Sequence, residues 1–177
     1  MILRATGVSG AFVVEIERIA DERGFFARTF SADEFRRSGL EPAVLECSIA
    51  YNRSRATLRG LHYQTSPHAE AKLVRCTRGA VFDVAVDLRA DSPTHLKWHA
   101  EVLDADTRSA FYIPPGCAHG YLTLAPDTEL AYQISHGYVP EAASGVRWND
   151  PLFRIAWPET PQVIAERDAT FPDHVAA

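Results

Sequence analysis

Lys72-Leu-Val-Arg-Cys-Thr-Arg-Gly-Ala-Val-Phe-Asp-Val-Ala-Val-Asp-Leu88 is the stretch whose reading decides the fold. From Val81 to Leu88 the residues alternate. Phe82, Val84, Val86 and Leu88 share one face, and Val81, Asp83, Ala85 and Asp87 share the other, which is the period of a β-strand. Arg78-Gly79 reads as a tight hairpin turn between two strands. With that turn, Lys72, Val74 and Cys76 fall on the face of Asp83 and Asp87. A lysine and an aspartate then become neighbours on one sheet face. If that face lines a barrel, the pair is interior. If it is an outer face, the pair is a solvated surface ion pair, and alternation alone favours this second reading.

The segments around it have the same character. Ala11–Ile19, Thr57–Gln64, Ser109–Pro115, Gly120–Ala125 and Glu129–Ser135 are rich in β-branched and aromatic residues and are separated by turn signals. The prolines fall mostly between these segments. Only Ser31–Leu40 reads as a helix, with Ser31 as N-cap, Glu34 three residues later, and an end at Gly39. Many short strands and little helix predict an all-β sandwich or barrel. No repeat, low-complexity run or linker interrupts the 177 residues, so one domain over 1–177 is expected.

Bulk properties exclude several classes. Apolar residues are 46% and charged residues 23%, as in an ordinary globular protein. A net charge of −5 gives no positive field for non-specific nucleic-acid binding. Cys47, Cys76 and Cys117 form no CxxC pair, so they read as buried reduced thiols, not as a zinc knuckle or a disulfide framework. Met1–Gly10 has no long apolar run to read as a signal peptide, and no stretch approaches a membrane span. The cytoplasm is the expected location.

Histidine is the side chain best suited to proton transfer near neutral pH. Of seven histidines, two stand in unusual company. His62 lies in the strand-like Arg59-Gly-Leu-His-Tyr-Gln64. His119 ends Pro114-Pro-Gly-Cys-Ala-His119, where a proline-glycine turn delivers it to the next strand. The order P-x-G-x-x-H resembles the second motif of the cupins, which are β jelly-roll barrels. Their first motif carries H-x-H, then a glutamate, six residues and a glycine. Here His62-Tyr63-Gln64 supplies one histidine, and Lys72, followed by six residues and then Gly79, stands at the glutamate's place. An ammonium at a ligand position repels a divalent ion, so no metal site is expected. A histidine beside a cation suits removal of a proton next to a carbonyl, with the cation stabilising the enolate.

A closer resemblance covers nearly the whole chain. Asp21-Glu-Arg-Gly-Phe-Phe26, Leu58-Arg-Gly-Leu-His-Tyr-Gln64, Lys72-Leu-Val-Arg75, Val81–Arg89, Ser92-Pro-Thr94, Ile113-Pro-Pro-Gly116, Ala118-His-Gly120 and Trp148-Asn-Asp-Pro151 are similar to the dTDP-4-dehydrorhamnose 3,5-epimerase family, in that family's order. The resemblance implies a cupin-type jelly-roll barrel with a few short helices. It implies an enzyme of deoxysugar biosynthesis for surface polysaccharides, with no metal or organic cofactor, usually a homodimer. The implied substrate is a nucleotide-diphosphate 4-keto-6-deoxy sugar.

The resemblance also implies roles. His62 matches the base that removes protons at C3 and C5, which the C4 ketone makes acidic. Asp168 matches the carboxylate that orients this histidine. Lys72 matches the cation near the C4 oxygen, and Tyr132 the acid on the opposite face of the sugar. Arg23, Arg59 and His119 match groups around diphosphate and sugar, and Phe26 and Tyr138 match aromatics near the base. Arg167, beside Asp168, is taken as a further substrate-binding residue. Simple alternation puts Arg59 and His62 on opposite faces, so a bulge near Gly60 is expected.

Four positions depart from the family pattern: Arg28, Glu46, Ser48 and Ala143. The resemblance places all four on the nucleotide side. Arg28 reverses a charge, and at 46 a donor amide has become an acceptor-only carboxylate. A CDP- or GDP-linked keto sugar is therefore an alternative, as is inversion at C3 or C5 alone. A cupin that binds the nucleotide sugar without turnover is the competing class. A matched base and acid argue against it, and Lys72 with Gln64 argues against a metal-dependent cupin.

Overall fold

A computed structural model describes residues 1–175. The last two residues of the domain expected over 1–177 lie outside the described residues. Its elements in chain order begin with β1 (Ile2–Ala5), β2 (Phe12–Glu15), β3 (Ile19–Asp21), β4 (Gly24–Phe26), α1 (Ala32–Arg37) and β5 (Glu46–Asn52). Next come β6 (Thr57–Gln64), β7 (Lys72–Arg78), β8 (Ala80–Asp87), β9 (Trp98–Asp104), β10 (Ala110–Ile113) and β11 (Cys117–Thr123). The series ends with β12 (Thr128–Ile134), β13 (Ala143–Gly145), β14 (Val163–Ile164) and α2 (Glu166–Ala169).

Two sheets pack face to face. The first has the order β1-β2-β10-β7-β12-β5, and the second β13-β6-β11-β8-β9. Pairing is antiparallel throughout except for β14, which lies parallel to β6. β3 and β4 form a separate two-stranded hairpin. The all-β fold class read from the sequence is the observed one.

The hairpin expected at Arg78-Gly79 does not form. β7 pairs with β10 and β12, whereas β8 pairs with β11 and β9, so the turn carries the chain from one sheet to the other. The predicted faces survive this change. Val74 and Cys76 from one sheet meet Val81 and Ala85 from the other in the core, with Phe111, Tyr121 and Leu130. Asp83 and Asp87 are 0% exposed, so the surface reading of that face is wrong. The lysine–aspartate pair is absent too. Lys72 pairs with Glu70, Asp83 with His119, and Asp87 with Arg89.

Both sheets are also covered on their outer faces. Phe35 from α1 packs with Val14, Leu73 and Tyr112 of the first sheet. Val146, Phe153 and Trp157 from the C-terminal segment pack on Leu61, Val84 and Val86 of the second. α1 begins where expected, with the Ser31 side chain accepting from the Glu34 N–H at 3.4 Å. Of the thiols, Cys76 and Cys117 are buried, but Cys47 is exposed on β5. Among the described residues no helix is long and apolar enough to cross a membrane.

The bulge expected near Gly60 is present. His119 pairs with His62 and Tyr121 with Arg59, so β6 holds one more residue than β11 over this interval. Gly60 takes φ +127°, and a Cβ there would lie 2.5 Å from Gly120 Cα. Gly60→Ala should therefore destabilise the fold by roughly 2–5 kcal/mol, combining backbone strain with overpacking. Denaturant unfolding of the variant against the parent protein checks this.

Candidate active site

The extra residue in β6 turns both Arg59 and His62 towards the interior cleft, where strict alternation would separate them. The cleft has two adjoining lobes that share His62, Lys72 and Ile134. The inner lobe, about 280 Å³, is lined by Ser48, Arg59, His119, Tyr121 and Tyr132 besides the shared residues. The outer lobe, about 190 Å³, is lined among others by Glu46, His136, Tyr138, Ala143, Ser144 and Arg167.

His62 comes from the second sheet, and its Nε2 lies 2.7 Å from Asp168 Oδ1. The other carboxylate oxygen accepts the Gly60 N–H at 3.0 Å, so the bulge itself anchors the carboxylate. Asp168 stands on α2, a four-residue helix that the sequence reading did not find. The His62 side chain remains 43% exposed to the cleft. One ring nitrogen is thus held by a carboxylate while the ring stays accessible, the arrangement of an oriented base.

Lys72 enters from the first sheet. Its ammonium is bonded to Glu70 and lies 3.4 Å from the His62 carbonyl oxygen. Glu70 also accepts the Gln64 N–H at 3.2 Å. The sequence reading missed Glu70, which stands two residues before Lys72. Gln64 does structural work. Its Oε1 accepts from the Val139 N–H at 2.6 Å, and its amide donates to His68 O at 3.0 Å and Gly137 O at 3.3 Å. That fixes the loop carrying Tyr138, whose own N–H donates to Glu46 Oε1 at 3.1 Å.

A second histidine–carboxylate pair lies deeper. His119 Nε2 is 2.8 Å from Asp83 Oδ1. Burial pushes the Asp83 carboxyl up from its ordinary value, against the opposing pull of His119. The His119 ring meets the Tyr132 ring edge-on, with centroids 5.9 Å apart. Tyr132 projects from β12 on the side of Leu130 and Ile134, as alternation required. Burial holds its phenol well above the usual range. The phenol therefore keeps its proton at neutral pH.

Arg23, Phe26 and Arg28 are not brought into this cleft. Arg23 and Phe26 stand on the β3–β4 hairpin, where Phe26 is 71% exposed and Arg23 bonds Asp21. Arg28 pairs with Glu34 at 3.4 Å. Ser48 lines the inner lobe and not the lobe of Glu46 and Ala143. Among the described residues no cluster of three His, Cys, Asp or Glu side chains is arranged to hold a metal ion.

Base, cation and phenol around one cleft can move a proton off carbon and return it from another direction, which is the chemistry of an isomerase on a cupin barrel. The profile of dTDP-4-dehydrorhamnose 3,5-epimerase matches residues 5–174. A dTDP-4-dehydrorhamnose 3,5-epimerase of Sinorhizobium fredii is 36% identical over 97% of this chain and 89% of its own length. The crystal structure of the Elizabethkingia anophelis enzyme of that name superposes with a TM-score of 0.94 at 35% identity, covering 98% of this chain and 96% of that one. The Bacillus anthracis enzyme, solved with TDP and PPi bound, gives 0.88 at 34% identity, covering 96% and 100%. ChmJ, a 3'-monoepimerase from Streptomyces bikiniensis solved with dTDP-quinovose, gives 0.86 at 34%, covering 94% and 84%. The chain belongs to the dTDP-4-dehydrorhamnose 3,5-epimerase family and is an isomerase.

The dyad has a consequence for stability. Burial raises the Asp168 carboxyl, but the hydrogen bonds from His62 and Gly60 and the charges of His62 and Arg167 outweigh it, so the net value lies below 3.8. A depressed folded value stabilises the protein above the unfolded value, and that stabilisation is lost as pH falls through the folded one. Asp168→Asn should cost about 1.5–3 kcal/mol at neutral pH. The gap to the parent protein should close as pH drops below 3.8. Urea unfolding across that pH range measures it.

Proposed function

We propose that this protein epimerises a dTDP-linked 4-keto-6-deoxy sugar in the cytoplasm, without a metal or organic cofactor. One observation carries the reading. His62 on β6 and Tyr132 on β12 reach the inner lobe from opposite sheets, with Lys72 of β7 on the same wall system. In this reading His62, held by Asp168, takes the proton from the carbon beside the C4 ketone. The Lys72 ammonium, aimed by Glu70, stabilises the enolate oxygen. Tyr132 returns a proton to the other face of the carbon. Arg59 and His119 hold the sugar and diphosphate, and Tyr138, Glu46 and Arg167 border the nucleotide in the outer lobe.

The carrier is assigned from the relatives solved with TDP and with dTDP-quinovose. Glu46 and Ala143 border the outer lobe, so CDP and GDP are the competitors to test. Calorimetric titration should give tighter binding for dTDP than for CDP, GDP or UDP. Tighter binding of CDP or GDP would reassign the carrier. Whether one carbon or two are inverted follows from sugar placement, since each needs the same base and acid.

We also propose a homodimer in which the β3–β4 hairpin of one copy reaches the cleft of the other. Ile19, Phe25 and Phe26 are exposed on that hairpin, and Ile49 and Tyr51 are exposed on β5, the edge strand of the first sheet. This arrangement gives Arg23, Phe26 and Arg28 a route to the nucleotide that their own chain does not provide. Phe26→Ala should weaken dTDP binding about tenfold, in line with the loss of one aromatic contact, and leave the cleft of its own chain intact.

The chemistry is tested by isotope exchange. In heavy water with dTDP-4-keto-6-deoxyglucose, NMR should show deuterium entering at C3, C5 or both. His62→Ala should abolish exchange, a loss of at least 100-fold for a missing general base. An unchanged rate in that variant removes His62 from the role, and a silent parent protein removes the epimerase reading in favour of a binding function.

A further inference from the structure

Gly145 on β13 is the cross-strand partner of His62 on β6. Side chains of such partners stand side by side on one face of a sheet, so the glycine leaves a slot next to the proposed base. Phe171 fills that slot from the C-terminal segment. A Cβ on Gly145 would lie 2.4 Å from both Cε2 and Cζ of the Phe171 ring. The ring meets the His62 ring edge-on, with centroids 5.9 Å apart and planes at 72°. The Arg167 guanidinium carbon lies over the same ring, 5.5 Å from its centroid. Phe171 lines neither lobe of the cleft, whereas His62 lines both and Arg167 lines the outer one. Its segment is tied down on one side by β14, which pairs with β6, and on the other by the His174 N–H, which donates to Asp150 Oδ2 at 2.6 Å. Between these ties, α2 has four residues and no side-chain N-cap. So short a helix has little stability of its own and takes its place from what it docks on.

We propose that Phe171 is a positioning residue of the epimerase, filling the slot opposite Gly145 so that the His62 ring, Asp168 and Arg167 are held as one block. The inference rests on the reading of His62 as the base. Asp168 Oδ1 is an acceptor, so Nε2, 2.7 Å away, carries the ring proton of neutral His62. Nδ1 then carries the lone pair that takes the proton from carbon. That hydrogen bond restrains the ring at one atom only, and the last torsion of a histidine is broad. The edge of Phe171 supplies the second restraint. The same ring docks the segment that bears Asp168, so it places both members of the dyad. Through its face it lays Arg167 along the wall of the outer lobe. One side chain outside the cleft thus ties the proton-transfer end of the site to the nucleotide end.

The alternative is that Phe171 only stabilises the C-terminal segment. Two variants and two readouts separate these roles. The first readout is NMR of isotope-labelled histidine ring nitrogens without substrate, with the His62 signals identified as those lost in His62→Ala. The parent protein should show Nε2 protonated and Nδ1 bare. Phe171→Ala should draw the two shifts towards each other, as Asp168→Asn does. The second readout is deuterium exchange at C3 or C5 of dTDP-4-keto-6-deoxyglucose in heavy water. At saturating substrate, Phe171→Ala should exchange about 10- to 100-fold more slowly than the parent. On an Asp168→Asn background the same change should cost less than about threefold, because both act through one dyad. Phe171→Leu refills the slot without an aromatic face. It should exchange within about threefold of the parent at saturation, while KM rises about two- to fivefold through Arg167. Unchanged His62 nitrogens in Phe171→Ala, or losses that multiply independently with Asp168→Asn, overturn the proposal. A parent protein that does not exchange overturns the base reading, and the nitrogen shifts, taken without substrate, still decide whether Phe171 holds the ring.

Discussion

The close approach of two backbones at Gly60 and Gly120 is the constraint on which the site depends. A Cβ on Gly60 would meet Gly120 Cα at 2.5 Å, and a Cβ on Gly120 would meet Arg59 O at 2.8 Å. With neither present, β6 presses against β11 and accommodates one extra residue. That residue reverses the facing of everything before it, so Arg59 joins His62 on the cleft side. It also turns the Gly60 N–H towards Asp168 Oδ2. One local irregularity thus sets Arg59, His62 and the anchor of the Asp168 carboxylate that holds the His62 ring.

The second organising fact is that ionic groups sit between two covered sheets. Charged side chains in such an interior persist only when paired. The cleft follows this closely: Lys72 with Glu70, His119 with Asp83, His62 with Asp168. Each pair restrains a group that faces the inner lobe. Such pairing fixes where each side chain stands more than it adds net stability. α1 and the C-terminal segment pack on the outer faces of the two sheets that carry these pairs.

Much of the fold was readable because strands announce themselves by alternation. Thr57–Gln64 corresponds to β6 in full, the segments at 72–88 and 109–115 contain β7, β8 and β10, and those at 120–125 and 129–135 overlap β11 and β12, which begin at Cys117 and Thr128. β5 was not read, since as an edge strand it is exposed along most of its length and lacks a clean apolar face. α2 was not read because four residues carry no periodicity. The hairpin at Arg78-Gly79 failed for a different reason. A glycine turn between two strands looks the same locally whether the strands pair or part into separate sheets, and only the partners β10, β11 and β12 decide between them.

By itself, the sequence determined the strand-rich class and the sharing of one face by Val81, Asp83, Ala85 and Asp87, without saying whether that face is inner or outer. Both follow from residue type and short-range spacing. His62, Lys72 and Tyr132 were candidates by type and resemblance, yet nothing local says that they share a lobe. Tertiary structure decided that, as it decided the partners: Asp168 lies 106 residues from His62, and Asp83 lies 36 from His119. It also left Arg23, Phe26 and Arg28 out of the lining of their own chain's cleft. Pairing across sheets is set by register and packing among distant segments, and a pattern with a period of two residues holds no information about which distant segment will be opposite.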